Sequence, residues 1–93
     1  MVPLLDYLLP QARTTMPTVL RSGAYQFIIF TADHPPVHIH VRGSGHLAKV
    51  RLDPIEIERS GGFNQGDLTK IVDIIRENQA LLLAEWDRFY PTR

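Results

Sequence analysis

Cysteine is absent from this 93-residue chain. Its absence excludes disulfides, thiolate zinc sites and cysteine nucleophiles, and it fits a reducing, cytoplasmic setting. Long hydrophobic runs are missing too, since no segment approaches the ~20 apolar residues of a membrane span. The opening "MVPLLDYLLP" is apolar, but it lacks a basic n-region and is interrupted by Asp6, so it does not read as a signal peptide. Nor is there an excess of one charge: 10 Lys and Arg face 10 Asp and Glu. That balance is far from the basic surplus of a typical duplex-DNA binder. Internal repeats and low-complexity tracts are also lacking. The length fits one small domain and leaves no room for two.

The charge is unevenly spread. Residues 1–52 hold five Lys or Arg against two acids, and residues 53–93 hold five against eight. The first half is mildly basic and the second mildly acidic.

The chain divides near Met16. Residues 1–15 read as an N-terminal extension: Leu4, Leu5, Leu8 and Leu9 suit one side of a short helical turn, and Pro10 ends it. Residues 16–93 read as a single α+β domain. "TVLRS" is a short strand and "GA" a turn. "YQFIIFT" is apolar on both parities, which predicts a central strand covered at least partly on both faces. "VHIHVR" and "LAKVRL" alternate strictly around "GSGH". Pairing Val41 with Ala48, Ile39 with Val50 and Val37 with Leu52 keeps one apolar face, whereas a one-residue slip mixes the faces. This leaves a four-residue loop. "DPIEIERSGGF" reads as an exit segment with a turn at Gly61-Gly62. Asn64, three residues before Asp67, marks a helix start. Leu68, Ile71, Val72, Ile75, Leu82, Leu83, Trp86, Phe89 and Tyr90 then recur at helical spacing, as one helix or as two with a break near Asn78-Gln79, with a stop at Pro91. The expected fold is a small antiparallel β-sheet of three to four strands, covered on one face by a long C-terminal amphipathic helix.

"DHPPVHIH" places three of the four histidines within eight residues. In the preferred register His38, His40 and Arg42 share one face, with Lys49 opposite His40 and Arg51 opposite His38. No carboxylate lies between His34 and Arg51, so the cations repel one another and suggest a face that receives an anion. A solvated polar sheet face is the plain alternative. Metal-free phosphoryl transfer on RNA suits the group well. One neutral histidine takes a 2′-hydroxyl proton, a protonated donor serves the leaving oxygen, and an arginine stabilises the charge. On this reading His38, His40 and Arg51 are catalytic, while His34, Arg42 and Lys49 hold nucleic acid. Metal binding by His38 and His40, completed by His34 and Asp33, is disfavoured by Lys49 and Arg51. Ser44 and Gly45 also stand where a cupin site needs glutamate. No metal or cofactor is expected. A histidine-triad hydrolase is disfavoured because Arg42 occupies the third histidine position.

"MPTVLRSGAYQFIIFTADHPPVHIHV", "AKVRLDPIEI", "GFNQGDL" and "IIRENQALLLAEWDRFY" together resemble the small prokaryotic domain-of-unknown-function family numbered 4160. The resemblance runs from Met16 to Tyr90. It implies a component of a type II toxin–antitoxin pair, with a ribonuclease-like toxin favoured and a small antitoxin protein encoded nearby as partner. It names no catalytic residue. The rival expectation is a non-enzymatic module, binding nucleic acid or protein, of the same system. RNA and the antitoxin are the expected partners, no membrane is involved, and the oligomeric state stays open.

Overall fold

The structure is a computed structural model that describes residues 17–30 and 35–90. The expected N-terminal extension, Asp33 and His34 lie outside the described residues. Five strands, β1 (Thr18–Ser22), β2 (Tyr25–Ile28), β3 (His38–Gly43), β4 (His46–Leu52) and β5 (Ile55–Arg59), precede two helices, α1 (Gln65–Glu77) and α2 (Gln79–Phe89). The strands form one antiparallel meander in the order β1-β2-β3-β4-β5.

The expected α+β class holds, with one strand more than expected and with the C-terminal helix in two pieces, one of the two forms left open. The register reasoned from alternation is present: Val41 opposes Ala48, Ile39 opposes Val50, His40 opposes Lys49 and His38 opposes Arg51. Leu52 N donates to Val37 O at 3.1 Å, extending the same pairing. The connecting loop is shorter than expected, because Gly43 and His46 pair and leave only Ser44 and Gly45 between them. Both central residues have positive φ, 50° and 80°, as the tightest hairpins with matching twist require. The segment "IEIER", expected as an exit, is instead the edge strand β5. Its alternation of isoleucine with charged residues suits a strand with one covered face.

Ile39, Val41, Ala48, Val50 and Leu52 are fully buried against Leu68, Ile71, Ile75, Leu82 and Trp86. The face carrying Val37, Ile39 and Val41 is therefore the core face. At about 25 cal/mol per Å² of apolar surface, this layer is the main stabilising contribution. Asn64 caps α1 by accepting a hydrogen bond from Asp67 N at 2.8 Å. Tyr25 Oη donates to Asp67 Oδ1 at 2.6 Å and so ties β2 to the first turn of α1. That bond, then burial, raises the Tyr25 hydroxyl above its ordinary pKa.

The helical stripe is interrupted at Asn78, whose side-chain amide donates to Ile74 O at 2.8 Å. A side chain competing for the backbone in this way suits a cap better than a helix interior. Gln79 Nε2 then donates to Leu52 O at 2.6 Å, and Tyr90 Oη to Phe30 O at 2.5 Å. These two bonds fasten the ends of α2 to the last residue of β4 and to the chain just beyond β2.

Candidate functional site: the histidine face

The second face of the sheet carries Gln26 and Ile28 from β2, His38, His40 and Arg42 from β3, and Lys49 and Arg51 from β4, since residues directly opposite share a face. The histidine pair lies where expected in register, but it is buried: His38 is 2% exposed and His40 6%. Ile28, opposite His40, is also fully buried.

Aromatic packing surrounds the pair. The Phe30 ring stacks on His40 at 3.9 Å and 7°. The two imidazoles meet edge to face at 5.1 Å, and Trp86 lies 5.1 Å from His38. Trp86 belongs to the core cluster as well, so α2 bridges the core and the histidine face. His38 Nδ1 donates to Pro36 O at 2.8 Å. A carbonyl oxygen only accepts, so this bond requires a proton on His38 Nδ1. His38 Nε2 and His40 Nδ1 are both buried.

The cations opposite them are not an unbalanced group, because β5 brings two carboxylates alongside. Lys49 Nζ lies 3.0 Å from Glu58 Oε2, and Arg51 Nε lies 3.2 Å from Glu58 Oε1. Arg51 Nη1 also reaches Glu56 Oε1 at 3.4 Å. Hydrogen bonds from Lys49 and then Arg51 hold the Glu58 carboxyl below its ordinary pKa. The expected repulsion among cations is therefore relieved from outside the hairpin. Arg42 is exposed, and its Nε and Nη2 donate to Gln26 Oε1 at 3.2 and 3.0 Å.

The structure thus brings His38, His40, Lys49 and Arg51 onto one face, leaves Arg42 toward the hairpin turn, and separates the histidines from solvent. The residues sequence reasoning missed are Glu56 and Glu58. Their signal was present in "IEIER", which alternates like the strand before it. The apolar Ile28 and Phe30, on the parity of His40, likewise signalled cover over that face. Among the described residues no group of three or more His, Cys, Asp or Glu is placed to hold a metal ion. No helix of the described residues is long and apolar enough to cross a membrane.

The His-x-His strand, its basic neighbour and the helix that carries Trp86 now stand in one frame. The family described as domain of unknown function (DUF4160) matches residues 24–87. The chain belongs to that family. Its match begins just before β2 and runs through α1 into α2, so it includes both histidines and both glutamates. No curated protein matches the chain, and no solved structure does.

Proposed function

We propose that this DUF4160 chain is a non-enzymatic protein-binding module of a two-component toxin–antitoxin pair. The toxin–antitoxin setting rests on the family resemblance. The non-enzymatic character rests on one observation: His38 and His40 are 2% and 6% exposed inside an aromatic cluster. An acid–base pair must come within hydrogen-bonding reach of the phosphate it serves. A histidine ring buried against Trp86, like one stacked on Phe30, serves packing instead. Lys49 and Arg51 support the same reading, since both are engaged by Glu58 and offer a polyanion little free charge.

The test uses the purified full chain and the product of the neighbouring gene. The module reading expects a stable complex by size-exclusion chromatography and no cleavage of a cellular RNA pool by the chain alone, in EDTA, from pH 5 to 9. Metal-independent cleavage that is lost in a folded His38→Ala or His40→Ala variant overturns it in favour of a ribonuclease with His38, His40 and Arg51 in the site.

A further inference from the structure

The β5 edge lies beside a cleft that the histidine face does not explain. Among the described residues no strand pairs with the outer side of β5. Above that edge, α1 overhangs a cleft of ≈ 260 Å³ with Ile57, Leu68 and Val72 as its apolar lining and Thr69 and the Asp73–Arg76 ion pair at its rim. Small-molecule sites usually occupy about 300–1,000 Å³, so this cleft suits an apolar side chain better than a cofactor. A groove between an edge strand and a helix is the geometry in which an extended peptide adds to a sheet.

The chemistry of that peptide can be read from the strand β5 already accepts. β4 alternates apolar and basic residues: Ala48, Val50 and Leu52 enter the core, while Lys49 and Arg51 meet Glu58 and Glu56. On the outer side the same carboxylates remain reachable, with the Glu56 side chain 63% exposed and that of Glu58 33%. A second copy of the chain fits poorly. An antiparallel self-pair centred on Glu56 sets that residue against its own copy, and one centred on Ile57 sets Glu56 against Glu58. Like charges directly opposite are destabilising. The register shift in the β4–β5 pairing, where Val50 opposes Ile57 but Lys49 opposes Arg59, adds a bulge at Glu58 that confines regular addition to the stretch before it.

Resting on the module reading, we infer that the β5 edge and the α1 cleft together accept an extended segment of a partner protein as a short sixth strand. An apolar side chain of that segment enters the Ile57–Leu68–Val72 cleft, and an adjacent Lys or Arg faces Glu56. The backbone ladder provides general affinity, and the alternation of apolar and basic residues provides selectivity.

The probe is a blocked peptide of alternating valine and lysine, about six residues long to match a typical strand. It is titrated into the isotopically labelled full chain and followed by amide NMR. Saturable binding at or below about 1 mM is expected, with shifts concentrated in Ile55–Arg59 and around Thr69 and Val72. Glu56→Gln should weaken it about two- to fivefold, the worth of one opposite-charge cross-strand pair. Val72→Asp should abolish it, and Glu56, being exposed, keeps the test valid if that variant does not fold. Equal affinity for a valine–glutamate peptide, shifts mapping elsewhere, or no saturable binding overturns the inference. The two readings fail separately: a complex with the neighbouring gene product that leaves β5 amides unprotected from exchange removes this site and spares the module. Peptide binding at β5 with no such complex does the reverse.

Discussion

The imidazole of His40 lies flat on the phenyl ring of Phe30, 3.9 Å away. A stacked ring that is 6% exposed belongs to the packing of its face whatever else it does. Truncation to Ala removes that contact and opens a void, so His40→Ala should lose on the order of 1–3 kcal/mol of stability. His38→Ala should lose a similar amount, because its ring meets both His40 and Trp86 and its Nδ1 bonds Pro36 O. Urea unfolding monitored by Trp86 fluorescence measures both. Variants as stable as wild type would show that neither ring is part of the packing.

Glu58 sets a pH dependence. Its folded-state pKa is lowered from 4.5 by Lys49 and Arg51. A depressed carboxyl contributes stability above its unfolded pKa and loses it as pH falls through the folded value. The expected outcome is a Tm that holds from neutral pH to about the ordinary glutamate range and then declines in acid. In Glu58→Gln the decline should be shallower and the neutral-pH Tm slightly lower, a modest effect because the pair is partly solvated. Thermal melts of both proteins from neutral pH to pH 3 check this. Parallel curves would remove Glu58 as the link between β4 and β5.

Gly61 passes so close to β4 that a Cβ there would stand 1.8 Å from Leu47 O, and its φ is +65°. Gly61→Ala meets both a backbone clash and a left-handed conformation, so it should lose on the order of 2–4 kcal/mol. Gly45→Ala has the positive φ of 80° but open space around it, and should lose roughly 1 kcal/mol. Chemical denaturation of the pair separates clash from conformation. Equal losses would mean that the turn before α1 can move away from β4.

The β3–β4 hairpin was legible in the sequence because alternation and a two-residue side-chain period admit only one register. The helical stripe was legible for the same kind of reason, since spacing fixes the face. Whether it formed one helix or two was not, because that depends on the Asn78 side chain bonding Ile74 O and on Gln79 reaching Leu52 O. The strand Ile55–Arg59 was not, since Pro54 and the dense charge that follows resemble a loop. Missing it also hid Glu56 and Glu58, and with them the balance of charge opposite the histidines. The burial of His38 and His40 was the hardest feature to read. Histidine is compatible with water and with a packed interior, and the choice depends on rings from Phe30 and Trp86, which are far apart in sequence. The apolar residues on both parities of "YQFIIFT" carried the only warning.

The meander has a consequence for how the chain acquires its structure during synthesis. Each strand pairs with the one before or after it, so hairpins can close as the polypeptide emerges, most rapidly where two residues join the strands, between β1 and β2, β3 and β4, and β4 and β5. The apolar layer that Leu68, Ile71, Ile75, Leu82 and Trp86 complete is encoded after all five strands. A nascent sheet therefore waits with Ile39, Val41 and Val50 uncovered until the segment carrying Trp86 has left the ribosome. Holdase chaperones would engage that exposed state before α2 arrives.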